Sequence, residues 1–251
     1  MFLTDEAKNE FSNHVLKEYP TEACGLLVDN EFLPCTNIHN NPEHGFLIDP
    51  ADVIRLTKNR TLQAVLHSHP YRSTDRFEDG FCPEFPSQRD MEVSNEYQIP
   101  FGIASSDGSG ISRLVWFNDD EIQPILGRKF VWGSSDCFCL VRDWYRLNKG
   151  ISFLNVPRSF GWWNQKDAEP IFELWFPKLG FYEIPKHEAT IGDVVLMRLG
   201  DRYSNGVINH CGVISNHNEL THQANGNSYS QATRLDKWNR SIAKYIRYKY
   251  P

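Results

Sequence analysis

At 251 residues, with 40% hydrophobic and 23% charged residues, the chain has enough apolar material for two packed cores and too many aromatics for a disordered segment. A formal charge of −6 and a pI near 5.8 offer no basic footprint for nucleic acid or an anionic membrane surface. No apolar run reaches bilayer-spanning length, and the first residues read as an amphipathic helix rather than a secretory signal. The expectation is synthesis and folding in a cytoplasm, with no membrane span and all six cysteines as free thiols.

Thr4 and Asp5 predict a helix start, with Ala7, Phe11 and Val15 spaced four apart on one face and a stop near Pro20. Strands are expected over residues 22–28 and 32–38. Asp49-Pro50 supplies a cap and a first-turn proline for a helix through Arg60, and residues 62–69 (LQAVLHSH) read as a buried strand. Residues 70–86 are polar, aperiodic and punctuated by Gly and Pro, hence a long loop. Ser87 then opens a helix with Asp90 three residues on, and strands at 99–105 and 112–117 complete an α/β alternation over residues 1–118.

The sharpest polar break, Asn118-Asp119-Asp120-Glu121 with Pro124 and Gly127, is assigned as a linker over residues 119–127. Residues 128–251 form the second domain. There, residues 136–148 have helical spacing, whereas 191–197, 207–215 and 219–223 read as strands, with Asn216-His217-Asn218 as a hairpin turn. One helix ahead of several strands gives an α+β domain. Cys24, Cys35 and Cys211 lie in apolar strand-like runs, where a buried thiol packs like a hydrophobe.

His67-Ser68-His69 closes its strand, and alternation sets both imidazoles on one face, where they can share an ion. A catalytic zinc uses three protein ligands and keeps a fourth position open, so a carboxylate must come from elsewhere. Asp90 is the candidate, with Asp75 and Asp79 as nearer competitors inside the loop. Glu22 lies on a run that can pack beside the histidine strand and act as a general base. The plain alternative is that Ser87 and Asp90 only cap a helix.

Glu22 within PTEACGLL, then HSHP, then PSQRD resemble, in that order, the JAMM family of zinc metallopeptidases. The resemblance implies a mixed sheet with flanking helices, His67, His69 and Asp90 as zinc ligands, Glu22 as base and Ser87 as donor to the developing oxyanion. Cleavage of peptide or isopeptide bonds would follow. The gap from His69 to Asp90 is longer than that family's usual spacing, the excess lying in residues 71–86.

In the second domain, Ser134-Ser135-Asp136 reads as a cap that places Cys137 in the first helical turn, where the dipole favours a thiolate. Cys139 is the alternative nucleophile, though it points to another side of the helix. His210 in VINHCGVIS and His222 in ELTHQA stand on adjoining strands, where their rings can meet. DCFCLVRDWY, IGDVVLM, NHCGVIS and ELTHQA together resemble the NlpC family of cell-wall cysteine peptidases. That implies a papain-like fold with Cys137 as nucleophile, His210 as base and His222 as the third residue. The aromatic segment SFGWWNQKDAEPIFELWF reads equally as core packing or as a substrate wall.

The succession of the two resembles the tail-tip assembly proteins of lambda-like tailed phages. This implies peptidoglycan stem or cross-link peptides as substrate, other tail-tip proteins as partners, and residence in the host cytoplasm during assembly or at the virion tail tip. Two further readings are a cellular isopeptidase acting on ubiquitin-like tags and a catalytically silent assembly factor. The NlpC-like half argues against the first, and the filled catalytic positions argue against the second.

Overall fold

The computed structural model describes residues 3–72, 82–119, 121–200, 206–224 and 229–250. It divides into two compact units, Met1–Glu121 and Ile122–Pro251. Among the described residues no helix is long and apolar enough to cross a membrane.

The first unit runs α1 (Asp5–Glu18), β1 (Cys24–Val28), β2 (Glu31–Cys35), α2 (Pro50–Thr57), β3 (Leu62–Pro70), α3 (Gln88–Tyr97), β4 (Phe101–Ser106) and β5 (Val115–Phe117). Thr4 caps α1 by accepting from the Ala7 N–H at 3.1 Å, and the helix buries the predicted stripe of Ala7, Phe11 and Val15. That stripe packs on Leu27, Phe32, Ala64 and Leu66 of one sheet face. Each such fully buried large side chain contributes roughly 1.5–3 kcal/mol.

The sheet has the order β2-β1-β3-β4-β5. Only β3 and β4 are parallel, joined by the α3 crossover, and the remaining neighbours are antiparallel. The sheet is therefore mixed. Because Leu66 faces α1, alternation turns His67 and His69 to the opposite face. There His67 packs against Phe46, tilted by 31°, and edge-on against Phe101, with centroids 4.4 and 5.9 Å away.

The second unit contains α4 (Cys137–Lys149), α5 (Ile171–Lys178), β6 (Phe181–Ile184), β7 (Val194–Met197), β8 (His210–Asn216), β9 (Glu219–His222), β10 (Gln231–Arg234) and β11 (Ile242–Tyr248). Gly150 ends α4 with φ of 65°, a left-handed cap that suits glycine. The sheet, β10-β9-β8-β7-β11-β6, is antiparallel throughout, and α4 packs on β8. Ile184, Val195, Met197, Ile214, Leu220 and Tyr245 cluster together. The register pairs Met197 with His210, Val195 with Gly212 and Gly212 with His222. His210 and His222 thus share that side of the sheet, whereas Cys211 and Val213 face the other.

Several expectations shift. The helix expected through Arg60 stops at Thr57, with Asn59 at a left-handed φ of 60° just beyond. The strand expected from Glu22 begins at Cys24, so Glu22 sits on the approach to β1. Strands expected from residues 99, 112, 191 and 207 start two to three residues later in the structure, at Phe101, Val115, Val194 and His210. The loop aspartates Asp75 and Asp79 lie outside the described residues.

Candidate active sites

In the first unit, β3 delivers His67 and His69 and the start of α3 delivers Asp90, all three buried. The two Nε2 atoms are 3.1 Å apart, and they lie 3.3 Å (His67) and 3.4 Å (His69) from the Asp90 carboxylate oxygens. Four-coordinate zinc with ligand bonds of about 2.0–2.1 Å has ligand–ligand edges of about 3.3–3.4 Å. The donor spacing fits a tetrahedral ion. Among the described residues this is the one group of three or more His, Cys, Asp or Glu whose ligand atoms converge in this way.

Supporting contacts fix the donors. His69 Nδ1 lies 3.2 Å from the Pro83 carbonyl, a geometry in which Nδ1–H donates and Nε2 keeps its lone pair. His67 Nδ1 is buried with no hydrogen-bond partner, so its ring is held by aromatic packing instead. Burial opposes ionisation of Asp90, but the neighbouring imidazoles, His67 first, hold its carboxyl well below the usual range.

Ser87 forms a capping box with Asp90. Its Oγ accepts from the Asp90 N–H at 3.1 Å and donates to Asp90 Oδ2 at 2.6 Å, while the Ser87 N–H donates to the same oxygen at 2.7 Å. The capping reading and the site reading therefore hold together: the cap also orients the carboxylate. The hydroxyl that the sequence assigned to an oxyanion is here engaged with Asp90.

Glu22 is tied in place through its backbone. Its N–H donates to the Pro42 carbonyl at 2.6 Å and its carbonyl accepts from Asn37 Nδ2 at 2.9 Å. Next to it, Ala23 exchanges two bonds with Ser68, the residue between the histidines, each at 2.9 Å. Burial raises the Glu22 carboxyl to about 7, against the lowering influence of His69. A carboxyl poised near neutrality can take and return a proton.

In the second unit, Asp136 caps α4 and leaves Cys137 in the first turn, 5% exposed. The cap is itself enclosed: Asp136 accepts from the Gly133 N–H at 2.8 Å and the Cys139 N–H at 3.0 Å, and pairs with Arg158. Arg158 is fully buried, its guanidinium stacked between Trp132 and Phe138 at 5.1 and 5.2 Å. Sequence reading missed this ion pair, because a lone arginine in NVPRSF carries no spacing signal.

His210 Nε2 and His222 Nδ1 meet at 3.1 Å across the β8–β9 pair. His222 is fully buried against Trp238, and burial, followed by the charge of His210, lowers it to about 3. It is therefore neutral, and can accept from His210 and orient it. The influence of Cys211 first, and of His210 after it, brings the Cys137 thiol below the ordinary value despite burial. Burial instead pushes Cys139 up to about 12, which fits the packing role.

Two structural consequences can be checked directly. A Cβ on Gly212 would sit 2.8 Å from His222 Cβ and 2.9 Å from the Thr221 carbonyl. Gly212→Ala should therefore push β9 and His222 away from His210, costing about 1–3 kcal/mol in urea unfolding. Unchanged unfolding in that variant would contradict the close approach of β9 to Gly212.

Asp136→Asn leaves the Arg158 charge buried and unpaired, and should cost about 3–5 kcal/mol. Burial opposes ionisation of Asp136, but Arg158 and the two N–H bonds depress its pKa in the fold. Its stabilisation is thus present above the ordinary value of about 3.9 and is lost as pH falls through the lower folded value. Acid unfolding of the Asn variant should have a shallower slope below about pH 4 than that of the wild type.

Two family models match the chain: the prokaryotic homologs of the JAB domain over residues 4–79 and the NlpC/P60 family over residues 127–247. The first match contains Glu22, His67 and His69 and stops short of Ser87 and Asp90. Along nearly its whole length the chain is similar to the tail tip assembly protein K of Escherichia phage N15, at 27% identity over 243 residues, covering 94% of this chain and 91% of that protein. Similarity to the tail tip assembly protein K of Escherichia phage lambda is 25% over 202 residues, covering 80% and 89%. Among solved structures, NlpC1 from Trichomonas vaginalis aligns at 16% identity and a TM-score of 0.35, over 49% of this chain and 40% of that one.

Proposed function

From a chain that carries a Prok-JAB domain followed by an NlpC/P60 domain and resembles the tail tip assembly proteins of lambda-like phages, we propose a tail-tip assembly protein with two hydrolytic sites. Its second domain is a cysteine endopeptidase that cuts stem or cross-link peptides of peptidoglycan. The pairing of His210 with His222 at 3.1 Å, together with Cys137 in the first turn of the helix that Asp136 caps, carries this reading.

In this mechanism the Cys137 thiolate attacks the scissile carbonyl carbon, aided by the N–H groups that a helix start leaves free for developing negative charge. The protonated His210 gives its proton to the leaving amine as the C–N bond breaks. It then takes a proton from the water that hydrolyses the thioester. His222, neutral and buried, keeps the His210 ring in the tautomer and orientation that both transfers require.

In the first domain His67, His69 and Asp90 hold one zinc, Glu22 is the general base and Ser87 the donor to the oxyanion. Zinc, when bound, supplies a Lewis acid and acidifies water. For Ser87 to act, its hydroxyl turns from Asp90 Oδ2 to the substrate while the Ser87 N–H retains that oxygen. The substrate is a peptide or isopeptide bond in another tail protein. The protein works in the host cytoplasm during assembly and at the virion tail tip, with tail-tip proteins as partners and no nucleic acid.

We place the linker at residues 119–127. A fragment beginning at Ile122 should fold alone and release stem-peptide fragments from purified peptidoglycan, identified by mass spectrometry. A folded fragment that leaves peptidoglycan intact, while the full chain digests it, would move the activity out of the second domain.

A further inference from the structure

Gln223, the residue that follows His222, is buried and commits both ends of its amide to a single residue. Its Oε1 accepts from Arg128 Nε at 3.2 Å, and its Nε2 donates to the Arg128 carbonyl at 2.9 Å. Through Nη1 the same guanidinium donates to Asp143 Oδ2 at 2.6 Å, while Asp143 Oδ1 accepts from Arg142 Nε at 3.1 Å. The Arg128 backbone is fixed as well: its N–H donates to Ser230 Oγ and its carbonyl accepts from the Ser230 N–H, each at 3.0 Å. Ser230 adjoins Gln231, the β10 residue whose register partner is His222.

This cluster is an expensive way to join a helix to a strand. Two buried guanidiniums share one carboxylate, and among the described residues Arg128 Nη2 has no hydrogen-bond partner. Ion pairs taken out of water are weak stabilisers, and apolar side chains of similar volume often replace them without loss. Stability alone therefore does not account for the cluster, but its placement does. Asp143 belongs to the helix whose first residue is Cys137, six residues and about 9 Å along the axis. Gln223 is covalently joined to His222 at the end of β9. A continuous path thus runs from the nucleophile's helix through Asp143, Arg128 and Gln223 to the residue that orients the base.

We propose that Arg128 and Gln223 are positioning residues of the peptidase site, a clasp that holds the end of β9 with His222 at a fixed place relative to α4. This rests on the reading of Cys137, His210 and His222 as the catalytic set. Both residues act through His222, whose Nδ1 stands 3.1 Å from His210 Nε2. A misplacement of about 1 Å can cost on the order of 10²-fold in rate, so a small drift of β9 is enough to matter.

The test measures kcat and KM on soluble peptidoglycan fragments for full-length wild type, Cys137→Ala, Gln223→Ala, His222→Ala and the double variant Gln223→Ala/His222→Ala. Each is first shown to be folded by urea unfolding. Gln223→Ala leaves the Arg128–Asp143 pair in place and should lower kcat about ten-fold with KM changed less than about two-fold, the pattern of an effect confined to the transition state. Introduced into His222→Ala, the same substitution should change kcat less than about two-fold, because the residue it positions is gone. A residue that only stabilised the fold would leave the kcat of folded protein unchanged, and one that bound substrate would lower activity equally in both backgrounds. Either result overturns the clasp. If Gln223→Ala does not fold, Arg128→Met, which leaves Asp143 paired with Arg142, is measured in the same two backgrounds against the same criteria. Wild-type kcat in Cys137→Ala or His222→Ala would instead remove the peptidase reading itself, and the proposal with it.

Discussion

Replacing Cys137 by Ala is expected to reduce release of peptide from peptidoglycan on the order of 10³-fold or more, the scale at which enzymes lose a covalent nucleophile. His210→Ala should cost about 10²–10⁴-fold, as the loss of a general acid–base does, and His222→Ala less, since His222 acts through His210. Alkylation supplies a second measure on the resting enzyme. An ordinary thiol with a pKa of about 8.5 would react roughly 25-fold faster at pH 9 than at pH 7, simply from its ionised fraction. Cys137, whose thiol is drawn below that value by Cys211 and His210, should show a much smaller ratio. Preferential labelling of Cys139, with Cys137→Ala still active, would reverse the assignment.

The second large effect concerns the first domain. Purified protein is expected to contain one zinc per chain, and changing His67 and His69 together to Ala should remove it, because two of three donors are lost. A metal held at one hundred times its dissociation constant stabilises a fold by about 2.7 kcal/mol, so a chelator should lower the melting transition of this domain and leave that of the second unmoved. Glu22→Gln should keep the zinc, since a general base is not a ligand. Asp90→Ala should lose it. Zinc retained in Asp90→Ala would instead direct the search to Asp75 and Asp79, and unchanged zinc in the double histidine variant would remove the site altogether.

Where the sequence could be read, periodicity and capping were the reasons. The stripe of Ala7, Phe11 and Val15 lies buried as its spacing requires, and alternation alone brings His67 and His69 onto one face of β3. Ser87 and Asp90 were legible as a cap, and the same cap delivers the carboxylate to the histidines. The helix α5 escaped notice because IFELWFPK contains Pro177 and is crowded with aromatics that suggest core in any conformation. The strand β10, QATR, is a short, mostly exposed edge without an apolar alternation to betray it. Arg158 was silent for another reason: what it does depends on packing partners far away in the chain, which spacing does not encode.

On the proposed function, Cys137 cleaves peptidoglycan peptides in a domain whose chemistry is separate from that of the metal site. The most direct test is zymography on purified peptidoglycan with wild type, Cys137→Ala and Glu22→Gln at equal concentrations of folded protein. Clearing should be lost in Cys137→Ala and preserved in Glu22→Gln. Clearing that survives in Cys137→Ala and disappears in Glu22→Gln would contradict the account and assign the hydrolysis to the first domain.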